Sequence, residues 1–144
     1  MTCSLPGAVR FLLLFFVRSR EREEEDELIF VGTGVSTALP VLGHLDGSCP
    51  VCMDALHNEK GPNRRNNVSI LIRVAKTQQN ILIDCGKTFR SAFLRSLAPL
   101  KVSRIDSLLL THDHADAIDG LDDLRDLQPF GYVGLEWRSV NHLS

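Results

Sequence analysis

Three things are scarce in this chain of 144 residues: charge of one sign, long apolar runs and cysteine. Its 16 Lys and Arg stand against 18 Asp and Glu, a formal net charge of -2. That balance creates no field to steer an anionic membrane or a polyanion onto the surface. It also lacks the basic surplus of a nucleic-acid-binding domain, so nucleic acid is not an expected partner. The longest apolar stretch, FLLLFFV at residues 11–17, has seven residues, whereas a membrane-spanning helix needs about 20. The four cysteines are Cys3, Cys49, Cys52 and Cys85, too few for a disulfide scaffold at this length. They point to a reducing compartment, and a cytoplasmic protein without a membrane partner is expected. There are no internal repeats.

What remains is ordinary for one globular domain, with 44% hydrophobic and 24% charged residues. Residues 1–27 read as an unstructured or targeting leader. Arg10 precedes the apolar run as in a signal or transit peptide, but Arg18 and Arg20 follow it without a small-residue cleavage site. The charge run EREEEDE at residues 21–27 suits a solvated linker. Targeting to an organelle by residues 1–26 and a disordered leader both stay open.

The domain is expected over residues 28–130. LIFV at 28–31 reads as a buried strand entering a turn at Gly32-Thr33-Gly34. Residues 35–66 have no sustained period and read as a long loop, a feature usually tied to function. Strands follow at 68–74 and 80–84, paired through the polar turn 75–79. A helix is expected over 88–97, closed by Pro99, and a third strand over 105–110. A second helix is expected over 119–127, with Leu121, Leu124 and Leu127 on one stripe, and residues 131–144 show no period. This order suits a mixed sheet with helices on one face.

The most informative stretch is THDHADA at residues 111–117. His112, His114 and Asp116 bring two imidazoles and a carboxylate together directly after an apolar strand. Imidazole with carboxylate suits zinc, iron or manganese. The i, i+2 spacing directs both imidazoles to one ion only in extended or turn backbone, which a strand-end loop supplies. A polar surface loop with two incidental histidines is the plain alternative. The His112-Asp113 pair also fits the all-helical HD phosphohydrolases, against which the strand at 105–110 argues.

A second metal candidate is Cys49-Pro50-Val51-Cys52, half of the ligand set of a structural zinc. His57 or His44 would have to add to it. Idle thiols are an alternative. A redox pair is the weakest reading, because no helix start is legible after a strand here. Gly32-Thr33-Gly34 lacks the rest of a phosphate-binding loop and reads as a tight turn. Cys85 reads as a small buried residue.

Taken in order, GTG at 32–34, RNNVSILI at 65–72, ILIDCG at 81–86 and LLLTHDHADAIDGLDDLR at 108–125 resemble the metallo-β-lactamase superfamily. The branch they are most similar to holds the cyclic phosphodiesterase of phosphonate breakdown and its plant and fungal relatives. The tRNA 3′-processing endonucleases are more distant cousins. The resemblance covers about residues 28–130. It implies an αββα sandwich, of which this chain would be the amino-terminal half, with the inner face of its sheet uncovered and open to dimerisation.

The resemblance also implies a dinuclear hydrolase, phosphodiesterase-like, acting on a small-molecule phosphodiester or a related substrate. Two ions, zinc or else manganese or iron, would sit about 3.5–4 Å apart and clamp a phosphate or carbonyl oxygen. His112 and His114 match the ligands of the first metal, and Asp116 matches a ligand of the second. Asp84 matches the residue that orients the metal loop by hydrogen bonds. Asp116 and Asp84 are thus the catalytic candidates, and His112, His114, Asp116, Cys49 and Cys52 the metal candidates.

The chain departs from the family's His-x-His-x-Asp-His pattern at Ala117, which cannot bind metal; the plant and fungal branch likewise reads HADA. Asp113, Asp119 or Asp122 would have to replace that ligand. The family's later ligands lie beyond the matched motifs, and His142 falls in a stretch without family likeness. Two further readings follow: a truncated product that binds metal or a partner without turnover, and an RNA-processing nuclease of the same superfamily.

Overall fold

The computed structural model of the chain describes residues 25–128 and the backbone of residues 136–139. Most of the leader, Cys3 and His142 lie outside the described residues. Five strands form one sheet in the order β1-β2-β3-β4-β5: β1 (Glu27–Gly32), β2 (Ser69–Val74), β3 (Gln79–Ile83), β4 (Ser107–Leu110) and β5 (Glu136–Ser139). The first three are antiparallel neighbours, whereas β3, β4 and β5 run parallel. Parallel pairing needs a crossover, and the helical residues between β3 and β4 provide it.

The register explains which face is covered. Ile29, Leu71, Leu82 and Leu108 are partners across four strands, and the last three are fully buried. Against this row pack Phe89, Ala92, Leu97, Val102, Ile105 and Leu124. Because side chains alternate along a strand, the residues on either side of this row face the other way. That face carries Leu28, Ile72 and Ile81 in one row and Phe30, Ile70 and Ile83 in the next. Leu28 and Phe30 remain 59% and 63% exposed. The described residues therefore form an α/β layer: a mixed sheet with helices on one face and an apolar second face.

Three local expectations need correction. Residues 35–66 are not all loop. They contain a 3₁₀ turn at Leu42–His44 and helix α1 (Pro50–His57), with Pro50 in its first turn, where a missing N–H costs nothing. The helix expected over 88–97 starts as α2 (Phe89–Ala92) but widens to a π turn at Phe93–Leu97. It then tightens to a 3₁₀ turn at Ala98–Leu100, which contains Pro99. The helix expected over 119–127 is divided: α3 (Ala115–Ile118) starts earlier, and Leu121–Leu127 is 3₁₀. Leu121, Leu124 and Leu127 recur every third residue, which matches the three-residue turn of a 3₁₀ helix. Within the stretch 131–144, which shows no period, β5 pairs with β4 over four residues.

Candidate metal centre

The loop after β4 is built by its contacts with the turn after β3. Asp84 directly follows β3 in the left-handed region at φ 57, a conformation that Asp tolerates better than most residues. Its backbone N–H donates to the Leu109 carbonyl at 2.9 Å, and its own carbonyl accepts from the Ser69 hydroxyl at 2.9 Å. The side chain is buried. Its Oδ1 accepts the Thr111 backbone N–H at 2.8 Å, and its Oδ2 accepts the Thr111 hydroxyl at 2.7 Å.

Three more backbone bonds tie the two segments: Cys85 N–H to the Ala117 carbonyl at 2.7 Å, Lys87 N–H to Ala115 at 3.1 Å, and Gly120 N–H to Cys85 at 2.8 Å. The approach leaves no room for a side chain at Gly86. A Cβ there would stand 1.9 Å from the Asp116 carbonyl oxygen. Ala117 is fully buried against this turn. Asp119 does not cap the following helix: Gly120 occupies the N-cap position, and Asp119 ends α3.

On this support His112, His114 and Asp116 each offer one ligand atom, and the three atoms lie within 4.8 Å of one another. His112 Nε2 is 3.4 Å from Asp116 Oδ1, and the two imidazole rings stand edge to face with centroids 5.0 Å apart. The Thr111 hydroxyl lies 2.8 Å from His112 Nδ1. Since that hydroxyl gives its one proton to Asp84, its oxygen accepts from Nδ1–H. The chain Asp84–Thr111–His112 thus selects the tautomer whose Nε2 lone pair is free for a ligand bond.

The donor set fits a divalent cation of the borderline class: two imidazoles and a carboxylate, converging and partly open to solvent. Asp113, Asp119 and Asp122 do not join the set among the described residues. Asp122 instead pairs with Arg125.

The second group is Cys49, Cys52 and His44, whose ligand atoms also lie within 4.8 Å of one another. His44 Nδ1 is 3.8 Å from the buried Cys52 sulfur. His57 turns away, its Nδ1 lying 2.8 Å from the Met53 carbonyl. The thiol of Cys49 is held below its ordinary value by the backbone N–H and side chain of Cys52. Burial, reinforced by the carboxylates of Asp123 and Asp84, pushes the Cys85 thiol up to about 12.

Sequence reasoning passed over Thr111 and Gly86. The signal for Thr111 was its place between a strand end and the first histidine. The signal for Gly86 was a glycine directly after the orienting aspartate.

Comparison with known proteins bears on the fold and the family. The model of the beta-lactamase superfamily domain matches residues 79–136, from β3 to the start of β5. An octanoyltransferase of Porphyromonas gingivalis is 37% identical over 97 residues, which is 67% of this chain and 17% of that protein. A ribonuclease Z of Trichodesmium erythraeum is 41% identical over 61 residues, 42% of this chain and 18% of that enzyme. Among solved structures, a diphosphatase of the PhnP family superposes with a TM-score of 0.56 at 32% identity, over 71% of this chain and 35% of that one. Zinc-bound PqqB from Methylobacterium extorquens shares the fold, with a TM-score of 0.55 at 13% identity, over 81% of this chain and 46% of that one. The chain thus spans about a fifth of these curated relatives. No described helix is long and apolar enough to cross a membrane. In its sequence motifs, in the domain matched over residues 79–136 and in its structural neighbours, the chain resembles the metallo-β-lactamase superfamily.

Proposed function

We propose that this chain carries the first metal-binding loop of a divalent-metal-dependent phosphodiesterase-like hydrolase. The observation that carries the reading is the convergence of His112, His114 and Asp116 within 4.8 Å, on a loop held by Asp84. His112 and His114 are the imidazole ligands and Asp116 the carboxylate ligand. Asp84 positions the loop through Thr111. Zinc is the ion of choice for this donor set, with manganese and iron next. Such an ion supplies Lewis-acid polarisation of a phosphoryl oxygen and lowers the pKa of a water nucleophile. The substrate class is a small phosphodiester or related phosphate, supported by likeness to a diphosphatase. Cys49, Cys52 and His44 are read as a separate structural zinc site, with two thiolates and one imidazole.

A second reading, an RNA-processing nuclease, draws on the match to ribonuclease Z at 41% over 61 residues. The net charge of -2 weighs against it.

The test is metal content by mass spectrometry for the chain purified from metal-supplemented cells, beside His112→Ala and Cys49→Ser. Loss of one ion with each variant supports both sites. Retention of all metal by a folded His112→Ala variant sinks the hydrolase reading. Cleavage of bis(p-nitrophenyl) phosphate against a 3′-extended tRNA then separates the two substrate classes. Bound metal with no cleavage of either supports a chain that binds metal without turnover.

A further inference from the structure

The start of α1 does more than set two sulfurs in a row. Cys49 is the N-cap residue, and Cys52 lies one turn on. Neighbours three residues apart on a helix have Cβ atoms about 5–6 Å apart, and here the two sulfurs are within 4.8 Å of each other. Their exposure is unequal. Cys49 is partly open to solvent, whereas Cys52 is 1% exposed. One thiol can thus meet an external disulfide, and the other can meet only its neighbour. The remaining described cysteine, Cys85, is fully buried after β3 and belongs to the separate core cluster. The structure places a helix start at this pair, reached from the 3₁₀ turn at Leu42–His44 and not from a strand.

We propose that Cys49 and Cys52 are a redox-active dithiol that a small-molecule disulfide closes reversibly to an intramolecular disulfide. In the first step the Cys49 sulfur bonds to one sulfur of glutathione disulfide and the glutathione S–S bond breaks. The thiol proton leaves with the first glutathione. In the second step the Cys52 sulfur attacks the Cys49 sulfur, breaks the mixed disulfide and releases a second glutathione, which takes the Cys52 proton. Two protein thiols are oxidised and one glutathione disulfide is reduced to two thiols. A disulfide sulfur is a poor ligand, since it is the thiolate that binds metal. Closure therefore strips the His44 set of both sulfur donors and makes metal and disulfide mutually exclusive there. This last step rests on the structural-zinc reading above; the dithiol itself does not.

The experiment treats the full chain, metal-free and zinc-loaded, with glutathione disulfide and follows each cysteine by peptide mass spectrometry. The metal-free chain is expected to lose two hydrogens from the peptide linking Cys49 and Cys52, to keep Cys85 reduced, and to recover both thiols with dithiothreitol. Cys52→Ser should accumulate one glutathione on Cys49, and Cys49→Ser should leave Cys52 unmodified while the wild type closes. A wild-type chain that holds stable glutathione on Cys49 without closing overturns the proposal, as does a disulfide to any other cysteine. Zinc should block closure and be released as closure proceeds. If the pair closes equally fast with and without zinc and no zinc is retained, the metal reading of this set fails while the dithiol stands.

Discussion

Thr111 occupies both carboxylate oxygens of Asp84, its N–H at 2.8 Å and its hydroxyl at 2.7 Å, and passes the same hydroxyl oxygen to His112 Nδ1 at 2.8 Å. One side chain thus connects the turn after β3 to the first imidazole of the candidate metal loop. Thr111→Val keeps the shape and the backbone bond but removes the hydroxyl. It leaves a buried carboxylate oxygen unpartnered, at a cost of about 1–3 kcal/mol. Outer partners of ligating histidines typically contribute 10–100-fold to metal affinity. Thr111→Val should therefore weaken zinc binding at this loop at least about tenfold and lower the melting temperature, with Thr111→Ser restoring both. Competition titration with a zinc-binding dye reads the first effect, and thermal denaturation the second. Unchanged zinc affinity in Thr111→Val would show that the relay does not hold His112.

Gly86 gives a second prediction. A Cβ at this position would lie 1.9 Å from the Asp116 carbonyl oxygen and 2.5 Å from its carbonyl carbon. Both are backbone atoms, so no rotamer change relieves the contact. Gly86→Ala must push the two segments apart, breaking the Cys85 to Ala117 bond. A destabilisation of about 1–3 kcal/mol is the ordinary scale for such overpacking. Metal content should fall with it, because Asp116 is the residue displaced. Urea denaturation and metal analysis of the same preparation check the two together. A variant as stable and as metal-rich as the parent contradicts the close approach.

How far the sequence could be read depended on whether a signal was periodic or positional. The strands around Leu71, Leu82 and Leu108 were legible because apolar β-branched runs end at turn residues. The candidate donor cluster was legible because His112, His114 and Asp116 sit within five positions. Helix α1 was not, because its eight residues bury only Cys52 and Ala55, too few for a period. Strand β5 was hidden for a similar reason: four residues at a sheet edge take their structure from pairing with β4. His44 joins Cys49 and Cys52 across a loop, and no local spacing specifies such a closure. Thr111 and Gly86 matter through contacts made 27 and 30 residues away in sequence, Thr111 with Asp84 and Gly86 with Asp116.

The cysteines should differ sharply in reactivity. Cys85 is fully buried, with its thiol pushed up to about 12, whereas the Cys49 thiol is partly exposed and held below its ordinary value. Iodoacetamide at pH 8 should label Cys49 in the metal-free native chain and leave Cys85 untouched until denaturant is added. The same shift fixes a sign for stability. Between the ordinary thiol value of 9.0 and about 12 the unfolded chain releases the Cys85 proton and the native chain keeps it. The unfolded state binds fewer protons there, so stability falls as pH rises through that window and is unaffected below it. The slope from this group is at most about 1.4 kcal/mol per pH unit. Urea midpoints across the window should fall more steeply for wild type than for Cys85→Ala. Parallel slopes would mean that Cys85 ionises as readily in the native chain as in the unfolded one.

The apolar second face of the sheet leads to a prediction about association. Phe30 and Leu28 lie on the edge strand β1, 63% and 59% exposed, in rows continued by Ile70, Ile83, Ile72 and Ile81. Contiguous apolar surface of this kind marks a contact site, and β1 is an edge strand among the described residues. Two copies of the chain brought together through this face would cover both rows. The isolated chain should therefore sediment as a dimer at high concentration and dissociate on dilution. Phe30→Glu places a charge in the centre of the contact without touching the buried row of Ile29, Leu71, Leu82 and Leu108. It should hold the chain monomeric at the same concentration while leaving its circular dichroism unchanged. A wild-type chain that stays monomeric at every concentration would show that this face does not pair with itself.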